Sequence, residues 1–217
     1  CDKCNDLKYG CTAYQCRSFG EGCELVNEGT MNEACVWKDP KDIFPPVITA
    51  LEKVLLSGDY EYRPISGEVE RGVKINYKND AKGCVPPYTS LTLGINTTKY
   101  ADCKIDTERT SSYEEMTAPM PRAEESISEF VLALPHVATP SVESQQAAGI
   151  PDYQITNGQD TDFYIRCENA NGYSNLDEYI MEFCVQDGPD VFPPMILGTN
   201  QGPFLSYNQS EAHFEIY

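Results

Sequence analysis

The chain has 217 residues, with 34 acidic against 16 basic side chains and a formal net charge of −18. Such a surface repels itself, and at a nucleic acid it would stack carboxylate on phosphate, so nucleic acid is excluded as a partner. No apolar run approaches the roughly 20 residues that a bilayer helix requires, and no membrane-spanning segment is expected.

Ten cysteines are present, six within the first 35 residues and four later. Even groups at this density point to disulfides and to an oxidising exterior. The first residues of the sequence show no initiator Met and no signal-peptide pattern. The expectation is a mature or excerpted segment of an exported protein, extracellular, at the cell surface or in a secreted filament. Two N-x-S/T sequons, at Asn96 and Asn208, are candidate glycosylation sites on such a surface.

Residues 1–41 read as a separate six-cysteine module, spaced C-x2-C-x6-C-x4-C-x6-C-x11-C. Leu7, Cys11, Tyr14, Cys16 and Phe19 give a loose helical repeat, and Asn27-Glu-Gly-Thr reads as a turn. So short a piece buries too little apolar surface to fold unaided, and three disulfides among Cys1, Cys4, Cys11, Cys16, Cys23 and Cys35 are the expected staple. Six cysteines allow fifteen pairings, and the spacing does not choose among them. Cys1-x-x-Cys4 resembles half of a zinc site, but no second such pair and no nearby histidine complete it.

Asp42-Ile-Phe-Pro-Pro-Val-Ile48 opens the main domain, and Asp190-Val-Phe-Pro-Pro-Met-Ile196 repeats it. Paired prolines fix φ and remove two amide donors, which suits a domain opening or the first residues of an edge strand. The repeat implies one β-domain over 42–188 and the first strands of a following one over 189–217, where Ala212, Phe214 and Ile216 alternate. The first copy is longer by an insertion at about 58–86, with one extra strand expected at Val73, Ile75 and Tyr77. Further on, Leu91, Leu93 and Ile95 share a phase, as do Phe130, Leu132 and Leu134. Thr161, Phe163, Ile165 and Cys167 alternate with polar neighbours, and so do Tyr179, Met181, Phe183 and Val185, with Cys184 off the apolar phase. A period of two is that of half-buried strands, and short alternating runs separated by Asn157-Gly158 and Asn171-Gly172 predict an all-β sandwich.

The succession Ala101-Asp-Cys103-Lys-Ile-Asp, Ser112-Tyr-Glu-Glu-Met116, Phe163-Tyr-Ile-Arg-Cys167-Glu-Asn-Ala-Asn-Gly172 and Tyr179-Ile-Met-Glu-Phe-Cys184-Val resembles the immunoglobulin-like and fibronectin-III-like repeats of large secreted prokaryotic surface proteins. The resemblance covers 42–188 and restarts at 190. It implies an immunoglobulin-like antiparallel β-sandwich, adjoined by a disulfide-rich, partly helical module. Such repeats join a cysteine on the third strand to one on the sixth, which carried over by position implies Cys103–Cys167. Where the family has a corner tyrosine, this chain has Thr161. Strand phase agrees with an inward Cys103 and Cys167, and a loop of that size stabilises by roughly 4 kcal/mol in the chain-entropy model. Cys184, expected to face outwards, is then left for Cys84.

Candidate chemistry is sparse. His136 falls in a loop and His213 on an expected outward strand position, neither at a metal spacing nor beside a nucleophile. Carboxylate pairs such as Glu114-Glu115, Glu124-Glu125 and Asp177-Glu178 single out no catalytic pair, and an enzyme is not expected. Asp160, Asp162, Asp187 and Asp190 are weak candidates for calcium, which takes six to eight oxygens; no other cofactor is expected. The expected function is a non-catalytic structural segment that builds a stalk, fibre or filament from tandem or strand-complemented domains, its partners being copies of itself or neighbouring repeats head to tail. The alternative is an adhesion or carbohydrate-binding module, with a surface glycan or protein as ligand.

Overall fold

The computed structural model describes residues 1–186 apart from 8–9, 31, 56–57, 66–70, 88, 111, 124–125, 127 and 135–159. Asp187, Asp190, Asn208, His136, His213, Glu124-Glu125, Asn157-Gly158 and the second Asp-Val-Phe-Pro-Pro phrase with all of 189–217 lie outside the described residues.

The cysteine-rich segment holds two short helices, α1 (Asp2–Asn5) and α2 (Ala13–Ser18), and an antiparallel pair, β1 (Cys23–Val26) and β2 (Ala34–Trp37). Thr12 and Gln15 form a capping box at the start of α2, satisfying amides that so short a helix would otherwise leave open. The β1–β2 turn runs through Asn27 at φ +53° and Gly29 at φ +78°, left-handed positions that Asn and Gly adopt most readily. Sulfur fills the centre: Cys4, Cys16 and Cys35 are fully buried, and the bonds are Cys1–Cys23, Cys4–Cys11 and Cys16–Cys35.

The rest of the described chain is mainly β. Its strands are β3 (Ile48–Ala50), β4 (Tyr60–Pro64), β5 (Gly72–Tyr77), β6 (Leu91–Thr97), β7 (Ala101–Asp106), β8 (Ala118–Pro119), β9 (Glu129–Leu134), β10 (Asp160–Asn169) and β11 (Tyr179–Cys184). They form a three-stranded sheet, β3-β6-β9, and a six-stranded sheet, β4-β5-β11-β10-β7-β8. Both sheets turn their apolar phase into one buried cluster. Leu91, Leu93, Ile95, Phe130, Leu132 and Leu134 come from the smaller sheet; Ile105, Phe163, Ile165, Met181 and Phe183 come from the larger. At roughly 25 cal/mol per Å² of apolar surface, this shared cluster is the dominant favourable term for the body.

The 58–86 region supplies two strands, β4 and β5, where one was expected. β5 lies parallel to β11, with Val73 opposite Met181, so it belongs to the main sheet. Two features permit this. Val73 and Ile75 bury inward, and Gly72, at φ +142°, comes so close to β11 that a Cβ would lie 2.1 Å from the Ile180 carbonyl oxygen. Cys184 is buried, not outward and exposed. It sits off the apolar phase of β11, but Cys84–Val85 covers it: the Val85 amide donates to the Cys184 carbonyl at 2.7 Å.

The two free edges of the larger sheet resist further strands. β4 carries Glu61, Arg63 and Pro64, and β8 is two residues long and ends in Pro119. Charge, proline and shortness are the usual guards of a sheet edge.

Candidate functional site

Where the chain enters the body, at residues 42–47, several polar side chains converge on its backbone. This phrase has no regular structure, and the β10–β11 turn holds it by its carbonyls. Asn169 Nδ2 donates to the Phe44 carbonyl at 2.8 Å and Asn175 Nδ2 to the Pro46 carbonyl at 2.7 Å. Asn171 Nδ2 donates to the carbonyls of Asp39 at 2.6 Å and Asp42 at 3.0 Å. Lys99 Nζ adds bonds to both Asp42 carboxylate oxygens, at 2.6 and 2.8 Å, and to the Phe44 carbonyl. The Lys99 hydrogen bond holds the Asp42 carboxyl below its ordinary range. Side-chain amides suit this task because each donates to a carbonyl while its oxygen accepts an amide: Asn175 Oδ1 takes the Cys167 amide at 3.1 Å.

Arg166 fixes that turn from beneath. It lies on the outer face of β10 yet is only 3 % exposed. Its Nη1 donates to the Asn175 carbonyl at 2.8 Å and to that of Leu176; its Nη2 donates to the Thr110 carbonyl at 3.0 Å. Glu178 lies 3.6 Å away and supplies the counter-charge. Beside the turn, a cleft of about 510 Å³ is lined by Pro45, Pro46, Arg71, Arg109, Leu176 and Glu178, with Asp177 at its wall. Val47 and Leu176, which also line it, are 47 % and 88 % exposed and give part of its rim an apolar character.

The same end receives the cysteine-rich segment. Asn27 Nδ2 donates to the Tyr100 hydroxyl at 3.0 Å and to Asp102 at 2.5 Å. Arg122 pairs with Asp102 at 3.3 Å, donates to the Asn32 carbonyl, and places its guanidinium 4.8 Å from the Tyr100 ring centre. Ala34, Val36 and Tyr100 form a small buried cluster across the junction. Burial pushes the Tyr100 hydroxyl up to about 12. Nearby, Glu168 sits directly opposite Asp102 in the β7–β10 register. Burial, with Glu114 and Asp102 adding repulsion, raises the Glu168 carboxyl above its ordinary range.

Of the calcium candidates described, Asp160 and Asp162 lie on the outer face of β10. The cation beside them is the Lys74 ammonium, 2.9 Å from Asp160 and bonded also to Glu182. Burial pulls Lys74 down, but these two carboxylates outweigh it and hold the ammonium above its ordinary value. Asn96 is half-buried on central strand β6, between Thr49 and Glu129. Cys1, Cys23 and Cys35, and likewise Cys4, Cys11 and Cys35, place their sulfurs within 4.8 Å of one another, but all are bonded in disulfides. Cys103 is bonded to Cys167 and Cys84 to Cys184.

Cys103 and Cys167 face each other across β7 and β10, with Cα atoms 4.1 Å apart. The Cys167 amide goes to Asn175 Oδ1, the Cys167 carbonyl accepts from the Asn175 amide, and the Cys103 carbonyl accepts from Met120. Neither of these carbonyls, nor the Cys167 amide, is spent between the two cysteines. That is the closely spaced kind of antiparallel pair, where side chains come nearest.

The sequence marks Asn171-Gly172 as a turn but does not by itself show the grip. Four asparagines or glycines in Asn169-Ala-Asn-Gly-Tyr-Ser-Asn175 were the available signal, since side-chain amides next to an irregular proline phrase have free carbonyls to hold. No family model, no curated protein and no solved structure matches this chain.

Proposed function

We propose that the chain is a non-catalytic structural segment of an exported cell-surface protein, with immunoglobulin-like or fibronectin-III-like sandwiches joined in series as a stalk, fibre or filament. One observation carries this reading: the chain enters and leaves the body at opposite ends. Residues 42–47 are held on the turn after Asn169, whereas Val185–Gln186 leaves beside Asp160, at the other end of β10. Ten residues of strand separate the ends by roughly 30 Å. The incoming phrase is held by four side chains, Asn169, Asn171, Asn175 and Lys99, and its repetition at Asp190 gives the next domain the same handle.

The guarded edges at β4 and β8 favour end-to-end docking over strand addition as the means of growth. Five disulfides favour an oxidising, extracellular location. The test is small-angle scattering from two full chains fused head to tail. Serial stacking predicts a maximum dimension near twice that of one chain; a fused pair that folds back to about the single-chain dimension counts against it.

The cleft beside Pro45 and Leu176 supports a second reading, an adhesion or carbohydrate-binding module. Paired arginines and carboxylates with an apolar rim suit a small polar ligand. Binding to a glycan or peptide array that Arg109→Ala abolishes would favour it over the stalk.

A further inference from the structure

Tension along a stalk follows the shortest covalent path, and the disulfides of this chain redraw that path. Cys84 follows β5, the third strand of the body, and Cys184 ends β11, the last strand among the described residues. Every strand from β6 to β10 lies between them, as does the Cys103–Cys167 bond. We infer that Cys84–Cys184 is a tension bypass: pull entering at Asp42 and leaving at Gln186 crosses from Cys84 to Cys184 and does not run through residues 85–183. The inference rests on the serial reading above, since only a chain held at both ends is pulled.

The surroundings of the bond fit the role. Beyond Cys184 the outgoing chain is tied again to the same segment. The Val85 amide donates to the Cys184 carbonyl at 2.7 Å, the Gln186 amide to the Val85 carbonyl at 2.9 Å, and Gln186 Nε2 to the Cys84 carbonyl at 3.1 Å. Residues 85 and 185 run parallel, and these bonds hold the two segments side by side around the disulfide. The pair is also shielded, Cys84 and Cys184 both being buried, which limits access to an external thiol.

The cysteine-rich segment repeats the device on a smaller scale. A pull at Cys1 crosses to Cys23, runs back to Cys16, and crosses to Cys35. From Cys1 to Gln186 roughly 60 of the 185 peptide links can be drawn straight, about 200 Å instead of about 630 Å at 3.4 Å per link.

The two bonds of the body are nested, and this makes the idea testable on the full chain, stretched between handles on residues 1 and 217. Removing the outer bond with Cys84→Ser/Cys184→Ser is expected to lengthen the stretched chain by about 120 Å, because the inner bond still withholds its own loop. Removing the inner bond with Cys103→Ser/Cys167→Ser is expected to add nothing, and full reduction of the unaltered chain about 430 Å. Stretched length depends on covalent connection alone, so a variant that folds poorly still gives a reading. An outer-bond variant no longer than the parent, or an inner-bond variant that lengthens as much, overturns the bypass. Neither length depends on a partner, so such a failure is separate from a failure of serial stacking, which the scattering reports.

Discussion

Asn175 joins two parts of the chain that are 129 positions apart: its Nδ2 donates to the Pro46 carbonyl at 2.7 Å while its Oδ1 accepts the Cys167 amide at 3.1 Å. One side chain thereby finishes the β10 ladder, where β11 has not yet begun, and fastens the incoming phrase to it. Replacing it by Ala takes the partner from a part-buried carbonyl and a part-buried amide. The expected loss is about 2–4 kcal/mol, read as a lower midpoint in urea. Asn175→Asp keeps the acceptor and removes the donor, and should fall between Ala and the parent.

Arg166 should tolerate no substitute. Its planar fork reaches the carbonyls of Thr110, Asn175 and Leu176 together, which the point charge of lysine cannot do. Arg166→Lys is expected to destabilise by about 2 kcal/mol and Arg166→Met by about 3, the latter leaving the half-buried Glu178 without its counter-ion. Thermal unfolding of both variants checks the order, and a Lys variant as stable as the parent refutes it.

The Asp42–Lys99 pair gives a pH dependence of definite sign. The Asp42 carboxyl titrates below its ordinary value, so it binds protons less readily folded than unfolded. Its contribution is present above the ordinary aspartate value of 3.8 and is lost as pH falls through the lower folded value. Asp42→Asn should therefore cost about 1 kcal/mol at pH 7 and progressively less as pH falls below 3.8, by urea unfolding across that range.

Glu168 runs the other way. Its carboxyl is raised, so the folded chain holds that proton to a higher pH than the unfolded chain does. The ionised form costs stability at neutral pH, and the cost fades as pH falls through the raised value. Glu168→Gln is expected to stabilise by about 0.5 kcal/mol at pH 7, relieving a like-charged pair set directly opposite Asp102, and to have no effect near pH 3.

With Lys74 already among Asp160 and Glu182, millimolar calcium should shift the melting temperature of the parent by less than about 1 °C, since a ligand that does not bind adds no stability. A shift of several degrees that Asp160→Asn removes would reverse this reading.

Much of the large sheet could be read directly from the chain. The alternation of Phe163, Ile165 and Cys167, and of Met181 and Phe183, places those side chains in the core without reference to any other segment. That is local information, because strand period and turn residues are properties of neighbours in sequence. Other features depended on approach between distant segments. Val73 and Ile75 alternate in the chain, but only Gly72 pressed against Ile180 shows that they extend the main sheet in parallel. Arg166 reads as an outward polar residue by its phase, and only the folding of 107–110 and 174–178 over it makes it buried. Cys184 has the same history under Cys84–Val85. Period and composition determined which residues could face a core and that the chain would be cross-linked. Which surfaces cover one another, and therefore which polar groups lose water and need partners, was decided by contacts between residues up to 132 positions apart, which no local pattern encodes.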